Sequence, residues 1–577
     1  MKSKIAPSRL LSWNGGLLVW SLAFALLAMA PTLGDFSHHK YGPNLNQTGS
    51  DSYGLLAHLW VYAQPADGVI RTETQDLISG YPEGRPVPKF NSITGWLAAI
   101  VSKLSGSPVL GYNLVIFLDF FLAFLLSYLL FNFVLSHEIA LLLAFTLALS
   151  PYQVLQSVDH LDLTATWVIL FFLIAAYQVV VANKPVWIAG TLIAVGISSF
   201  CHPYFTIMLA ILTCFVGVFY LFSWWRGKTK ISKHVLLGSG AAGGVAAGMV
   251  LWSKHLLTEG YAYKGMSSLN RSISDLYVYS TKVWDFVLPP IYSSLFSDVT
   301  NPFKTEQTAQ SGSNYVENTL YPGAIVLVLL AILLVFAVFN FADFRSRVRS
   351  QGRLAIFIAS LIAVPILFSM SPSFDVLGVA VPTPSMAVFQ VIDSFRTLSR
   401  FGYIADIGLI FLAGIMLNAL FKYMSLRPQT TRLILAIAVV VSLLDFGILG
   451  RSFYSDTSAV PAVYKKFSEV SNEQSVVLEL PFMWGYISYF WESYHHRRNF
   501  GLFDAGTKNF IELTSQRRSS LNDWIDFAKE HHITHIILHN PQRIQIPGAI
   551  EFVNDWHETD ISFAFAKYSY LIDLQKW

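Results

Sequence analysis

Long apolar runs alternate with polar stretches along most of this 577-residue chain. Most of the runs approach the length of about 20 residues that a helix needs to cross the hydrocarbon core of a bilayer. The runs are continuous and lack the alternation of barrel strands, so they predict helices. The eleven predicted spans are residues 11–30, 109–135, 139–149, 163–181, 186–200, 204–224, 234–252, 322–339, 354–370, 403–420 and 433–449.

Lysine and arginine residues gather before the first predicted span and after the sixth, eighth and tenth spans. Cytoplasmic loops of membrane proteins are enriched in these residues, so the clusters predict a cytoplasmic amino terminus in the cytoplasmic membrane. Residues 1–30 also have the pattern of a cleavable signal peptide, and cleavage would leave the next segment on the same outer side. The long segments 31–91, 253–320 and 371–402, and the tail from residue 451, then face outward.

Composition narrows the possible functions. Hydrophobic residues make up 54% of the chain and charged residues 13%, whereas soluble domains carry about 25% charged residues. The predicted cytoplasmic loops are short and basic, and the chain has no GxxxxGK[ST] motif, so we expect no coupling to cytosolic nucleotides. The GxGxxG stretch from Gly238 to Gly243 lies within the predicted span 234–252, where small residues permit close approach of helices. The basic run at 345–353 is expected to contact anionic lipids and not nucleic acid.

The tail differs from the rest of the chain because it is rich in charge, histidine and tryptophan. A helical pattern at residues 522–532 lies among short β-like runs, which predicts a small α/β domain. These runs are residues 475–480, 534–538 and 561–571. The predicted fold is an α-helical polytopic membrane module of about eleven transmembrane helices, residues 1–450, followed by a soluble extracytoplasmic α/β domain, residues 451–577.

The segment 31–91 contains the sequence GSDSYGLLAHLW, which begins at Gly49 and places Asp51 just outside the membrane. Tyr53, Leu56 and Trp60 share one face of a helix that starts there, as in a helix at a membrane surface. Asp51 is therefore either an N-cap or a general base, and the two roles are compatible. His58 lies two turns further on, and a divalent cation held by Asp51 and His58 is an open alternative.

The order of these elements resembles the GT-C superfamily of membrane glycosyltransferases, in which the first outer loop carries a catalytic Asp or Glu. Several short motifs resemble uncharacterised bacterial members of that superfamily. They are Ser150-Pro151-Tyr152, Asp159-His160-Leu161, Cys201-His202-Pro203-Tyr204 and the segments 271–290, 317–323 and 395–401. The resemblance implies a polyprenyl-phosphate sugar donor, a glycan, lipid or protein acceptor, membrane lipids as surroundings, inverting transfer, and Asp51 as the base.

Arg396 and Arg400 are the expected ligands of the donor phosphate, because a spacing of four places both guanidinium groups on one helical face. The alternative is that they anchor the chain at lipid headgroups. His160, His202 and Glu317 lie at outer ends of predicted spans, where ionisable groups are costly unless they face a wet cavity. They are candidate substrate-binding residues, together with His58 and Arg271. Interfacial histidines and a carboxylate at a helix start are the alternatives.

Two other functions remain open. A transporter or flippase of lipid-linked glycans would also need a helical bundle with charged cavity residues, although the chain shows no internal repeat of the kind that transporters often have. A GT-C-like scaffold without activity would keep the fold and serve in assembly. The long outer segments and the predicted outer domain favour an enzyme.

Overall fold

The structure is a computed structural model that describes most of the chain. The described residues are 15–42, 51–79, 81–82, 84–87, 90, 92–225, 244, 247–249, 251–252, 273–311, 317–376, 379–392, 395–447, 454–480, 485–500, 521–539, 559–560 and 568–574. Three predictions lie wholly or largely outside them, one of which is the β-like run at residues 561–571. Arg271 is not among the described residues, and neither is most of the predicted span at residues 234–252.

Helices dominate the first part of the chain. In chain order they are α1 (Gly15–Ala28), α2 (Asp51–Ala63), α3 (Ile93–Ser105), α4 (Pro108–Asn132), α5 (His137–Ala148), α6 (Pro151–Asp159), α7 (Trp167–Val180), α8 (Ile188–Cys201) and α9 (Pro203–Trp225). Three short strands accompany them, namely β1 (His39–Tyr41), β2 (Gln75–Asp76) and β3 (Arg85–Pro86).

The second part continues with further helices and then with the sheet of the tail. The helices are α10 (Ile273–Val278), α11 (Ser297–Ser311), α12 (Ala324–Phe339), α13 (Phe341–Ser350), α14 (Gly352–Ser369), α15 (Pro384–Val391), α16 (Gly402–Met424), α17 (Pro428–Asp445), α18 (Ala462–Val470), α19 (Gly485–His495) and α20 (Leu521–Glu530). The strands are β4 (Ser373–Val376), β5 (Val379–Pro382), β6 (Tyr454–Asp456), β7 (Val476–Leu480), β8 (Arg498–Asn499), β9 (His535–His539), β10 (Thr559–Asp560) and β11 (Tyr568–Asp573).

Every predicted span except residues 234–252 falls on one of these helices, which confirms a multi-pass helical membrane protein. Within the described ranges, six helical segments are long and apolar enough to cross a membrane. They are Pro108–Asn132, His137–Val158, Leu161–Val180, Gly352–Ser369, Leu398–Met424 and Pro428–Asp445. Shorter apolar helices include α1, α3, α8 and α12, so the number of eleven spans stays a prediction.

Local sequence signals explain where several helices begin and end. Ser92 and Ser107 cap α3 and α4, each accepting a backbone N–H from three residues further on. Between them, Gly106 ends α3 with a φ of 73°, which glycine adopts without strain. Pro151 stands at the first position of α6 and has no N–H to donate, so the chain breaks after α5 and starts a new helix there.

The tail contains a five-stranded mixed sheet in the order β10-β11-β9-β7-β8. Strand β7 runs parallel to β8 and β9, while β11 is antiparallel to β9. The predicted strands at 475–480 and 534–538 coincide with β7 and β9, and α20 covers the predicted helical pattern. The division of the chain at residue 450 stays a prediction.

Strand β6 of the tail pairs antiparallel with β1, so the first loop and the tail share a sheet. Helix α19 of the tail packs against α2. Leu56, Trp60 and Val61, on the face predicted to be apolar in α2, are buried, but the other described side chains of the helix are also buried or half-buried, so they form no exposed polar face. The predicted apolar face contacts protein, however, and not a membrane surface. The first loop and the tail therefore lie on the same side of the helical bundle.

Candidate functional site

An ion pair between Glu317 and Arg400 lies at one end of the helical bundle. Arg400 belongs to a 3₁₀ turn, Leu398–Phe401, that leads into α16, and Glu317 lies in the segment before α12. The guanidinium is bidentate: Nε donates to Glu317 Oε2 at 3.0 Å, and Nη2 donates to Oε1. The two side chains are only 8% and 4% exposed. Pairing and hydrogen bonding together allow both charges to remain buried.

Two residues at the end of α6 complete the surroundings of the Glu317 carboxylate. His160 Nε2 lies 3.4 Å from Oε1, and Gln156 Nε2 donates to Oε2 at 3.3 Å. Burial raises the pKa of Glu317, but the charge of Arg400 and the hydrogen bonds from His160 and Arg400 outweigh burial and hold that pKa below its ordinary value. The carboxylate is therefore an ionised acceptor around which three separate segments meet.

Aromatic rings enclose the other side of Arg400. The ring of Tyr204, at the start of α9, lies 4.4 Å from Arg400 Cζ in a cation–π arrangement. The same ring stacks on Phe395 at 4.4 Å, and the Tyr204 hydroxyl accepts the backbone N–H of Arg396 at 3.2 Å. Tyr204 thereby links α9 to the chain that carries both arginines.

His202 lies beside this ion pair, at the junction between α8 and α9. Its Nδ1 accepts the backbone N–H of Tyr204 at 3.2 Å, and the two rings are 5.2 Å apart. Burial, and then the charges of Arg400 and His160, lower the pKa of His202 well below its ordinary value. We therefore describe His202 as a neutral imidazole with Nδ1 as its acceptor nitrogen.

The expectation that Arg396 and Arg400 share one helical face is wrong. Arg396 precedes the 3₁₀ turn and is not part of a helix, so a spacing of four does not align the two side chains. Arg400 is buried with Glu317, whereas Arg396 lies 3.7 Å from Asp275 with 32% of its side chain exposed. Its guanidinium also lies over the ring of Tyr279 at 4.9 Å. Arg396 is thus the more accessible cation of the two.

Helix α2 begins at Asp51. Lys40, in strand β1 before the helix, links α2 to this end of the bundle. The side chain of Asp51 is not among the described parts of the structure. Two residues on, the ring of Tyr53 lies 5.5 Å from Lys40 Nζ, and Lys40 donates to the carbonyl of Val158 at 3.2 Å. Val158 precedes His160 by two residues, so the start of α2 and the Glu317 ion pair occupy the same end of the molecule.

The structure brings together four of the predicted site residues, which are His160, His202, Glu317 and Arg400. It places His58 on α2, half-buried and two turns beyond Asp51. Among the described residues, no group of three or more His, Cys, Asp or Glu side chains is arranged to hold a metal ion. Sequence reasoning missed Tyr204 as an aromatic partner of Arg400, although it stands within the motif Cys201-His202-Pro203-Tyr204.

Comparisons with known proteins give one family match and several distant structural likenesses. The family model of a domain of unknown function, DUF6311, matches residues 93–447. A comparison with curated proteins finds no match. The apo oligosaccharyltransferase of Archaeoglobus fulgidus is 12% identical with a TM-score of 0.48, over 96% of this chain and 74% of that chain.

Two structures of ArnT from Cupriavidus metallidurans are also similar, each with 12% identity. The apo structure has a TM-score of 0.48 over 96% of this chain and 98% of that chain. The structure bound to undecaprenyl phosphate has a TM-score of 0.46 over 97% of this chain and 98% of that chain.

Proposed function

The chain belongs to the DUF6311 family, and from that premise we propose that it is an integral-membrane glycosyltransferase of the GT-C type. It transfers a sugar from a polyprenyl-phosphate-linked donor to a glycan, lipid or protein acceptor. The reaction takes place at the outer face of the cytoplasmic membrane and inverts the anomeric centre. Asp51 is the general base.

One observation carries this proposal. The buried ion pair, the start of α2 and the tail all meet at one end of a bundle of apolar helices. Ionisable groups near a membrane are costly unless they serve a polar cavity or a ligand pathway. A lipid-linked sugar needs this combination, since its tail lies among apolar helices while its phosphate and sugar require polar groups at the bundle end.

In the proposed reaction, the acceptor hydroxyl attacks the anomeric carbon of the donor sugar. The hydroxyl proton passes to the Asp51 carboxylate, the new glycosidic bond forms, and the bond between the anomeric carbon and the phosphate oxygen breaks. Polyprenyl phosphate leaves with the bonding electrons. General base catalysis typically contributes about 10²- to 10⁴-fold to a rate.

The leaving phosphate needs positive charge, and we assign that contact to Arg396. Its guanidinium is partly exposed and, among the described residues, pairs with the carboxylate of Asp275 at 3.7 Å. Arg400 donates two hydrogen bonds to Glu317. We therefore assign it no direct phosphate contact: its positive charge stabilises the leaving phosphate from a distance, and its ion pair holds the neighbouring backbone of Arg396 in place. His202 and His160 line the same end of the bundle and are assigned to the sugar and phosphate groups of the donor.

The resemblance also suggests roles for residues that the site geometry does not test. His58 and Arg271 keep the substrate-binding roles expected from the sequence. The tail, which lies beside α2, is assigned to holding the acceptor. A divalent cation at Asp51 remains an alternative way to stabilise the leaving phosphate.

Product analysis tests this function. The purified protein is reconstituted in liposomes containing a polyprenyl-phosphate-linked sugar, and lipid products are followed by mass spectrometry in the presence of candidate glycan and lipid acceptors. The proposal expects free polyprenyl phosphate and a glycosylated acceptor in equal amounts. Movement of the intact donor between leaflets without release of polyprenyl phosphate would instead identify a flippase.

Two variants make that assay specific. Arg396→Gln should raise the donor KM by about tenfold or more, because a charge-assisted hydrogen bond contributes roughly 1.5 to 3 kcal/mol. Arg349→Gln on α13 removes a more exposed cation from a helix outside this site. It is expected to match the wild-type protein, and an equal effect of both variants would contradict the assignment of Arg396.

A further inference from the structure

Helix α19 of the tail lies alongside α2 over most of the length of α2. The ring of Phe490 is 5.4 Å from the ring of Tyr53, near the start of α2. The ring of His496, directly after α19, stacks on Trp60 at 5.5 Å. Contacts therefore advance in the same direction along both segments, by seven residues in α2 and by six in the tail. The two helices pack side by side and parallel.

The tail also holds the chain on both sides of α2. Before α2, strand β1 pairs with β6, and the backbone N–H of Thr457 donates to His38 O at 2.9 Å. After α2, Ser79 Oγ donates to Glu492 of α19 at 2.5 Å. The backbone N–H of Asn499 donates to Ile78 O at 2.9 Å. The first loop is thus attached to the tail before, along and after α2.

Tyr53 is the point at which these contacts meet the helical bundle. Phe490 lies on one side of its ring, and the buried Lys40 ammonium lies 5.5 Å from the centre of that ring. Lys40 also donates a hydrogen bond to the carbonyl of Val158, which lies beside the group formed by His160 and Glu317. Because Asp51 precedes Tyr53 by two residues in the same helix, whatever fixes Tyr53 also fixes the backbone of Asp51.

We infer that the tail is a positioning element for the reacting carboxylate, with Phe490 and Tyr53 as the positioning residues. This inference rests on the proposed function of Asp51. Neither ring is assigned a contact with substrate. Their role is to hold the start of α2 at a fixed depth and rotation relative to the bundle, because a displacement of about 1 Å can cost a reaction about 10²-fold in rate.

Phe490→Ala removes the ring that contacts Tyr53. The expected result is a fall in kcat of about 100-fold, with the donor KM within about twofold of the wild-type value, because Arg396 and the bundle are untouched. Hydrogen exchange of the backbone amides in α2, residues 51–63, should become faster in the same variant. Phe490→Leu keeps most of the apolar contact and is expected to recover kcat to within about tenfold of wild type.

Phe527→Ala is the matched control. Phe527 packs against Phe500 and His531 in the separate core of the tail sheet, away from α2. This variant should lower the melting temperature of the tail while leaving α2 exchange and kcat unchanged. An equal loss of kcat in both variants would show that only general tail stability matters and would overturn the inference.

The exchange measurement separates this inference from the proposed function. If Phe490→Ala leaves amide exchange in α2 unchanged, the tail does not position α2, whatever the enzyme does. If Asp51→Asn retains full transfer, the assignment of the base fails, while faster exchange in Phe490→Ala would still show that the tail holds α2.

Discussion

The buried ion pair makes a quantitative prediction about stability. Arg400→Met keeps a side chain of similar length but removes the positive charge, which leaves the Glu317 carboxylate with only His160 and Gln156 as described hydrogen-bond partners. At the observed 3.0 Å between Arg400 Nε and Glu317 Oε2, the attraction at an effective dielectric constant of 20 is about 5 to 6 kcal/mol. Removing one partner of a buried pair typically costs about 3 to 5 kcal/mol, because the remaining charge is unpaired.

We therefore expect Arg400→Met to lower the free energy of unfolding by about 3 to 5 kcal/mol. The assay is chemical or thermal unfolding in detergent micelles at pH 7. Arg396→Met is the matched control: its ion pair with Asp275 is longer and about one third exposed, so it should cost about 1 kcal/mol or less.

The double variant Glu317→Gln with Arg400→Met sharpens the test. It removes both charges together, so it should be more stable than Arg400→Met alone. Equal stability of Arg400→Met and Arg396→Met would refute the reasoning, and so would a double variant whose two effects simply add.

Two further predictions concern other buried groups. Burial lowers the pKa of His495 to about 3, against the opposing charge of Glu479. As the pH falls, His495 is protonated in the unfolded chain before it is protonated in the folded chain, so stability should fall by about 1.6 kcal/mol between pH 6.5 and pH 5. Urea unfolding of the wild-type protein and His495→Phe should show this pH dependence only in the wild type. Asp406, in α16, is buried with neither carboxylate oxygen hydrogen-bonded to any described residue. Asp406→Asn should therefore raise stability by about 1 to 3 kcal/mol in the same assay at pH 8, and a loss of stability would point to an unseen partner.

The helical framework was predictable because hydrophobic runs are a local signal. Nearly all predicted spans coincide with helices, and the strands β7 and β9 of the tail were also visible as short apolar runs. Helix α3, with 13 residues, lies between the predicted outer segment 31–91 and the predicted span 109–135 and was not predicted. It packs against α4 through small residues, since Ala98 and Ser102 lie beside Gly111, while the larger side chains of Trp96 and Leu104 are exposed.

The site was predictable in part. Polar residues at the ends of predicted spans identified Glu317, His160 and His202, because ionisable groups at such positions are costly. Which of them pair could not be predicted, since Glu317 and Arg400 lie 83 residues apart. The alignment of Arg396 with Arg400 assumed a helix that the chain does not form. The pairing of β1 with β6 joins segments more than 400 residues apart, and no local pattern indicates it.

Sugar transfer by Asp51→Asn tests the central claim most directly. The variant keeps the size of the side chain but cannot accept the acceptor proton as a carboxylate does, and it should fold with a melting temperature close to that of the wild type. Release of polyprenyl phosphate from a sugar-loaded donor should fall by about 100-fold or more relative to wild type, with donor binding retained. Transfer within a few-fold of the wild-type rate, measured on equal amounts of folded protein, would contradict the account.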